Sequence, residues 1–273
     1  MIMLDQYEVT EEIAEGGFAK IFKARHKLLD EPACVKVNKD LTPDELSSLT
    51  PDEANMRKLQ NVQLLRAEAK LLWRLGEYHS IPNAKGFYLI NRHTAALVMS
   101  WIEGKTLEEL VSKNSRMHPE DASWILERLL GALYYAHANG VVHSDVKPGN
   151  VMVEAKKHDI KLIDWGLSVY RPTSATRPVG STPAYAAPEL SEGKPPIPET
   201  DIYGAGMVLL YALGGEAAVL SKTFPGDVPK PLTEFGSSLI RYDPRERPNW
   251  EKQNLVERLS EIRQEAFGRR HTT

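Results

Sequence analysis

The most informative stretch of the chain reads Val142-His143-Ser144-Asp145-Val146-Lys147-Pro148-Gly149-Asn150, and Asp164-Trp165-Gly166 begins fourteen residues after its end. Between the two stretches lie two short apolar runs, Val151–Val153 and Ile160–Ile163, separated by a polar, turn-prone segment. This alternation predicts the two strands of a β-hairpin. Because a hairpin holds its two ends side by side, the carboxylates and the amide in the flanking stretches are expected to converge. Two or three oxygen ligands at one point suit Mg²⁺.

The pattern His-x-Asp-x-Lys-Pro-x-Asn followed by Asp-x-Gly resembles the catalytic and metal loops of protein kinases. The resemblance implies that Asp145 accepts the proton of the attacking hydroxyl and that Lys147 neutralises the moving phosphate. It also implies that Asn150 and Asp164 hold Mg²⁺ on the nucleotide phosphates. From the residues alone, the alternative is a polar hairpin in a surface loop, but four residues in register favour the kinase interpretation.

Composition limits the classes of protein that need to be considered. The chain has 273 residues and a formal charge of −3, which gives no reason to expect nucleic acid or a membrane as partner. A single cysteine, Cys34, excludes an internal disulfide framework and fits a reducing, cytoplasmic compartment. The start, Met1–Asp5, lacks the pattern of a signal peptide. The apolar segment Tyr203–Leu220 carries several glycines and Glu216, and is interpreted as a buried central helix.

The N-terminal segment predicts two strands, Tyr7–Val9 and Glu12–Ala24, joined through small residues. Small residues let backbone N–H groups approach a phosphate closely, although such a turn is often merely a hairpin turn. Kinases carry G-x-G-x-x-G here, and this chain departs from the pattern by having alanine at its first and last positions. The resemblance implies a nucleotide-binding loop formed by Ala14, Gly16, Gly17, Phe18, Ala19 and Ile21.

The strand Ala33–Val37 carries a single lysine and matches the third strand of kinases. The resemblance makes Lys36 the ligand of the first phosphates of ATP, whereas a lone strand lysine is usually a solvated edge residue. Leu64–Leu75 has apolar residues at helical spacing. Glu68 on that predicted helix matches the glutamate that pairs with the strand lysine, although a solvent-facing glutamate is the alternative.

The segment Lys39–Asn61 is an insertion relative to the kinase pattern. It contains Thr-Pro-x-Glu twice, at Thr42 and Thr50, and each copy is a helix-start signature. We therefore expect the insertion to be helical. It is either a surface elaboration or a docking element for a regulatory partner or substrate.

Two further strands, Gly86–Ile90 and Ala95–Ile102, end at Glu103-Gly104. The resemblance places Met99 at the back of an adenine pocket and assigns adenine binding to the backbone from Ser100 through Trp101 to Ile102. A strong amphipathic helix over Pro119–Asn139 is expected to support the catalytic loop that follows it.

The segment Gly180–Glu189 resembles the substrate-positioning segment and Ala-Pro-Glu ending of protein kinases. The resemblance predicts a buried ion pair between Glu189 and Arg247, and it predicts that Asp201 caps the backbone of the catalytic loop. Thr182-Pro183 and Lys147 indicate the serine/threonine class. Small-molecule kinases share the catalytic loop but usually lack the Ala-Pro-Glu segment.

The predicted architecture is an α+β, bilobal kinase fold in a single domain, residues 1–267, with a short tail, 268–273. A β-rich N-lobe covers about residues 1–100 and a larger helical C-lobe about 104–267. ATP and Mg²⁺ are the implied cofactors, bound in the cleft, and a protein bearing serine or threonine is the implied substrate. A pseudokinase acting as a nucleotide-binding scaffold is the alternative, motivated by Ala14, Ala19, Ser144 and Trp165.

One departure bears on regulation. Most kinases that are switched on by loop phosphorylation carry arginine immediately before the catalytic aspartate, where this chain has Ser144. A phosphate on the loop hydroxyls would therefore lose its main cation, unless Arg171, Arg177 or Lys23 replaced it. We expect activity to depend weakly on phosphorylation of Thr173, Ser174 and Thr176.

Overall fold

The computed structural model describes residues 4–114 and 116–270, which divide into two compact units. The first unit comprises the chain up to Tyr78 together with Pro82–Ile102. The second comprises His79–Ile81 together with the chain from Glu103 onward. The division into a β-rich first unit and a largely helical second unit agrees with the predicted architecture.

The first unit is built on a five-stranded antiparallel sheet with the order β1-β2-β3-β5-β4. Alternate residues of its strands, among them Val35, Val37, Ala96 and Val98, are buried in one apolar cluster. The elements of this unit are β1 (Tyr7–Glu15), β2 (Ala19–His26), β3 (Pro32–Asn38), α1 (Pro43–Ser48), α2 (Pro51–Leu75), β4 (Ala84–Asn91) and β5 (Thr94–Ser100).

The insertion is helical, as predicted, but it is not separate from the helix that carries Glu68. Thr42 and Thr50 both form capping boxes, with proline at the first turn of α1 and α2. The helix predicted over Leu64–Leu75 is present as the C-terminal part of α2, which runs without interruption for 25 residues from Pro51. Good helix formers fill the segment between the Thr50 cap and Leu64, so nothing stops the helix before Gly76, which has a φ of 63°.

The second unit contains mostly helices. Its elements are β6 (Lys105–Thr106), α3 (Leu107–Asn114), α4 (Pro119–Ala138), β7 (Val141–Val142), β8 (Val151–Glu154), β9 (Asp159–Leu162), β10 (Val169–Tyr170), α5 (Pro188–Ser191), α6 (Pro198–Ser221), α7 (Lys230–Leu239) and α8 (Leu255–Phe267). The predicted hairpin is present as β8 and β9, with Val151 opposite Leu162 and Val153 opposite Ile160. β6 adds a third strand beside β8.

Helices α4 and α6 form the centre of the second unit. The predicted core face of α4 is buried, with Ile125, Leu129, Leu133 and Ala136 at most 1% exposed. Helix α6 is long and apolar enough to cross a membrane, with a mean hydropathy of 1.4 over its most apolar stretch, but 78% of that stretch is buried in the fold. It is therefore the core helix that the sequence predicts.

The C-terminal helix α8 buries Leu255, Leu259 and Ile262, as predicted. It ends at Gly268, which has a φ of 75° and forms the cap. Of the predicted tail, 268–273, the last three residues lie outside the described part of the chain.

Candidate active site

The catalytic-loop stretch is held by Asp201 near the start of α6. Asp201 is 1% exposed and accepts hydrogen bonds from the backbone N–H groups of His143 at 2.7 Å and Ser144 at 2.8 Å. Ser144 has a φ of 68°, a conformation that a side chain disfavours and that these bonds help to hold. A Cβ on Gly204 would lie 2.7 Å from Cβ of Val146, so glycine is what lets α6 pack this closely under the loop. The predicted capping of the loop by Asp201 is confirmed.

His143 ties the loop to the end of the hairpin. It is fully buried, and its Nε2 lies 3.1 Å from the carbonyl oxygen of Ile163. The Trp165 ring packs edge-on against the imidazole at 4.6 Å, and the indole N–H donates to the Leu162 carbonyl at 2.9 Å. Trp165 is therefore buried, and its indole N–H is satisfied, in the turn that directly follows Asp164.

Asp145, Lys147 and Thr182 form a closed triangle of hydrogen bonds. The Thr182 hydroxyl donates to Asp145 Oδ1 at 2.7 Å, and the Lys147 ammonium lies 2.8 Å from both Thr182 Oγ1 and Asp145 Oδ2. Asp145 is 7% exposed. The triangle joins the substrate-positioning segment to the catalytic loop, and it places a carboxylate and an ammonium beside the same hydroxyl oxygen.

The two ends of the hairpin meet at Asn150 and Asp164, the predicted metal ligands. Ile163 donates its backbone N–H to the Asn150 carbonyl at 2.9 Å. The Asn150 amide nitrogen donates to Asp145, at 2.8 Å to the backbone carbonyl and 3.1 Å to Oδ2. Within the described residues Asn150 Oδ1 accepts no hydrogen bond, and Asp164 directly follows Ile163, whose N–H binds the Asn150 carbonyl. These hard oxygen donors fit Mg²⁺.

In the first unit, the predicted phosphate loop is the turn Gly16–Phe18 between β1 and β2. The Gly16 N–H donates to the Ala19 carbonyl at 2.8 Å, which closes the turn. Ala14 lies opposite Ile21, and Ala19 is 2% exposed at the start of β2. Ala14 still pairs with β2, directly after a register shift between Glu12 and Ala14, so the departure from three glycines is compatible with the turn.

The predicted ion pair between Lys36 and Glu68 is present and buried. The Lys36 ammonium lies 2.9 Å from Glu68 Oε1 and 2.8 Å from Oε2, and the two side chains are 6% and 1% exposed. Ile21 lies opposite Lys36 in the sheet, and the Phe18 ring centroid is 4.9 Å from the ammonium. Because Lys36 lies on β3 and Glu68 on α2, the ion pair links the helix to the sheet.

The predicted adenine-binding residues lie at the end of β5. Met99 is 9% exposed and pairs with Cys34 of β3 and Ala84 of β4. Trp101 and Ile102 follow the strand and are partly buried, and the Lys23 ammonium lies 4.9 Å from the Trp101 ring centroid.

The predicted ion pair between Glu189 and Arg247 is confirmed as a buried bidentate pair, with N···O distances of 2.7 and 2.8 Å. Burial by itself would raise the pKa of Glu189, but the hydrogen bonds and charge of Arg247, with a hydrogen bond from Thr200, hold it below its usual value. The end of the substrate-positioning segment is thereby anchored in the second unit.

The structure shows the surroundings of Ser144, of the loop hydroxyls and of the two nearby arginines. The Ser144 hydroxyl is buried and has no hydrogen-bond partner among the residues described. Thr173 and Ser174 are exposed. The Arg171 guanidinium packs over the Tyr170 ring at 5.2 Å, and Arg177 donates to the Gly193 carbonyl at 3.4 Å.

The sequence did not indicate the role of His137. The Trp250 indole N–H donates to His137 Nδ1 at 2.8 Å, so the imidazole carries its proton on Nε2, which lies 2.8 Å from Asp201 Oδ2. Trp250 and His137 are 113 residues apart, and only the fold brings them together. The pair positions Asp201, which in turn holds the catalytic loop.

A β-rich unit and a helical unit, with Asp145, Lys147 and Asn150 on one loop and Asp164 after the adjoining hairpin, are the features expected of the protein kinase class. The protein-family profile described as "Protein kinase domain" matches residues 7–257. The chain belongs to the protein kinase domain family.

Relatives from animals and bacteria agree with this assignment. Maternal embryonic leucine zipper kinase of Danio rerio is 33% identical over 224 residues, covering 77% of this chain and 29% of that protein. Serine/threonine-protein kinase D of Synechocystis sp. is 32% identical over 220 residues, covering 77% and 41%. Serine/threonine-protein kinase PrkC of Bacillus subtilis is 28% identical over 215 residues, covering 77% and 30%. The matched regions thus span 29 to 41% of the length of these relatives.

Proposed function

We propose that the chain is a serine/threonine protein kinase that transfers the γ-phosphate of ATP, with Mg²⁺, to hydroxyl groups of a protein substrate. The observation that carries the proposal is the triangle of Asp145, Lys147 and Thr182. In it the Thr182 hydroxyl holds the Asp145 carboxylate and the Lys147 ammonium side by side, 2.8 Å apart. A carboxylate that can accept a proton, next to a cation, is what a hydroxyl attacking a phosphate needs.

In the proposed reaction, Asp145 accepts the proton of the substrate hydroxyl as the new O–P bond forms. Lys147 places its positive charge beside the transferred phosphoryl group and stabilises the charge on its oxygens. Thr182 keeps both side chains oriented, because it donates to one and accepts from the other.

We assign the binding of the nucleotide to the remaining predicted site residues. The ammonium of Lys36, oriented by Glu68, binds the first phosphates, and the turn Gly16–Phe18 covers them with its backbone N–H groups. Asn150 and Asp164 hold Mg²⁺, which neutralises phosphate charge. Met99, Trp101 and Ile102 receive the adenine.

The four residues that suggested a pseudokinase, Ala14, Ala19, Ser144 and Trp165, do not favour it once their structural settings are known. Ala14 and Ala19 leave the turn intact, and Trp165 is buried with its N–H satisfied. Ser144 keeps its backbone bond to Asp201. None of these residues replaces a base, a cation or a metal ligand of the proposed mechanism.

The same proposal includes a cytoplasmic setting, which the single cysteine supports. It also includes a regulatory partner, which the helical segment 39–61 supports.

The test is phosphate incorporation from γ-labelled ATP into a generic basic protein, with Mg²⁺ present or chelated, for wild type and Asp164→Ala. We expect incorporation on serine or threonine by phosphoamino-acid analysis, and a loss of orders of magnitude in the variant, since positioning and charge stabilisation supply the catalysis.

Equal incorporation by the two proteins would overturn the proposed mechanism. Nucleotide binding without any phosphate transfer would favour the pseudokinase. Predominant phosphotyrosine would overturn the serine/threonine specificity alone.

A further inference from the structure

A cavity of about 410 Å³ in the first unit lies between the phosphate loop and the helical insertion. Its apolar surface comes from Phe18, Leu41 and Leu64. Its polar surface comes from Gly17, Lys39, Asp40, Thr42, Glu45, Arg57, Gln60 and Asn61. The volume falls within the range of small-molecule sites in proteins, which are typically about 300–1,000 Å³.

Three of the four charged side chains that line the cavity already have partners. Lys39 lies 2.5 Å from Glu15 Oε1 and donates to the Gly16 carbonyl at 3.0 Å. Asp40 lies 2.8 Å from the Lys58 ammonium. These bonds use the charges of Lys39 and Asp40 within the protein.

Glu45 is engaged by the cap of α1. Its Oε2 accepts from the Thr42 N–H at 2.8 Å and from the Thr42 hydroxyl at 3.0 Å. The backbone hydrogen bond of Thr42 lowers the pKa of Glu45, so this side chain stays ionised at neutral pH and keeps its partner.

Arg57 differs from the other three. It is exposed toward the cavity and makes no hydrogen bond or ion pair with any residue in the described ranges, although its charge is one of those that lower the pKa of Glu45. A guanidinium offers five N–H donors in a planar fork that matches a carboxylate or phosphate. The cavity thus combines a positively charged hydrogen-bond donor, Arg57, with an apolar wall.

The cavity also adjoins the parts of the first unit that hold Lys36. Arg57, Gln60, Asn61 and Leu64 recur at helical spacing on one face of α2. Glu68 follows Leu64 by one further turn on that face. On the opposite wall, Phe18 places its ring 4.9 Å from the Lys36 ammonium. A molecule in the cavity would touch both the phosphate loop and the helix whose glutamate pairs with Lys36.

We propose that this cavity binds a small organic anion, a carboxylate or phosphate monoester carried on an apolar group, and that the bound anion regulates nucleotide binding. The anionic group pairs with Arg57, and the apolar group packs on Phe18, Leu41 and Leu64. The regulatory half of the proposal rests on the proposed function, whereas the binding half does not.

The binding half is tested by calorimetric titration of the full chain, without nucleotide, with 1-naphthaleneacetate and its neutral isostere 1-naphthaleneacetamide. We expect the acid to bind wild type at least fivefold more tightly than the amide. Arg57→Gln should remove that preference. Titration with 1-naphthyl phosphate then distinguishes a phosphate site from a carboxylate site by which of the two anions binds more tightly.

The matched control is Arg66→Gln. Arg66 is an exposed arginine on the same helix, nine residues on, which is about two and a half turns and therefore the opposite face. We expect this variant to keep the wild-type affinities within twofold. Equal binding of acid and amide, an equal effect of the two arginine variants, or binding of neither probe would each overturn the proposed site.

The regulatory half is tested by the affinity for Mg-ADP with and without saturating probe. By reciprocity, an anion that alters nucleotide affinity must have its own affinity altered by the nucleotide by the same factor. We expect at least a threefold change in wild type and none in Arg57→Gln. Probe binding with no such change would overturn the regulation, and a chain that binds no nucleotide at all would instead contradict the proposed function.

Discussion

Replacing Arg247 by alanine should destabilise the chain more than any surface substitution near it. The guanidinium is fully buried, and its donors are all used: two N–H groups bind the Glu189 carboxylate. The others bind the backbone carbonyls of Glu199 at 2.8 Å, Tyr242 at 3.0 Å and Arg241 at 2.8 Å. The substitution therefore leaves one buried carboxylate and three carbonyl groups without their donor.

The magnitude follows from the burial of both partners. Glu189 is 5% exposed, and removing one partner of a buried ion pair costs about 3–5 kcal/mol. The guanidinium also packs over the Tyr203 ring at 4.9 Å, a contact that is lost as well. At about 2–4 °C per kcal/mol for a chain of this size, the melting temperature should fall by roughly 6–20 °C.

The assay is thermal unfolding followed by circular dichroism, with Arg245→Ala as the matched control. Arg245 lies two residues away, and its side chain is 88% exposed and bonded to Asp243. We expect its loss to change the melting temperature little. Arg247→Lys keeps the charge but not the five donors, and should fall between alanine and wild type. Equal melting of the Arg247→Ala and Arg245→Ala variants would refute the reasoning.

The same pair has a pH signature. Because the pKa of Glu189 is lower in the folded chain than in the unfolded one, its stabilisation is fully present above the unfolded pKa, about 4.3, and is lost as the pH falls through the folded value. The difference in melting temperature between wild type and Glu189→Gln should therefore stay constant from about pH 8 to pH 5 and shrink below about pH 4. A difference that grew on acidification would contradict this assignment.

Two further outcomes concern loop phosphorylation and the single cysteine. Ser144 supplies no charge for a loop phosphate. The initial rates of phosphatase-treated enzyme and of the Thr173→Ala, Ser174→Ala, Thr176→Ala triple variant should therefore stay within tenfold of the rate of untreated wild type. A loss of more than tenfold, which is about 1.4 kcal/mol of barrier, would mean that the loop phosphate has another cation. Desolvation raises the pKa of Cys34 to about 11, so at pH 8 iodoacetamide should alkylate it roughly 100-fold more slowly than a free thiol. Labelling as fast as a free thiol would contradict the raised pKa.

The features that the sequence predicted well are those written in local patterns. The hairpin of β8 and β9 follows from two short alternating runs, and the starts of α1 and α2 follow from Thr-Pro-x-Glu. The pairing of Lys36 with Glu68, and of Glu189 with Arg247, came from the kinase resemblance and from the need of a buried charge for a partner.

The features that the sequence missed depend on contacts between distant residues. Thr182 reaches Asp145 across 37 positions, and no local pattern encodes that contact. The bond from Trp250 to His137 likewise depends on the packing of the second unit. The continuity of α2 was missed for a different reason: its N-terminal part carries few apolar residues at core spacing, so periodicity marked only the part that packs on the sheet.

The most direct test of the central claim is the single-turnover rate of phosphate transfer by wild type and Asp145→Asn at saturating Mg-ATP. The variant keeps the shape of the side chain and removes its ability to accept the hydroxyl proton. We expect a rate lower by about 10²–10⁴-fold, the usual contribution of a general base, with unchanged nucleotide affinity. A variant that transfers phosphate as fast as wild type would contradict the assignment of Asp145 as the base.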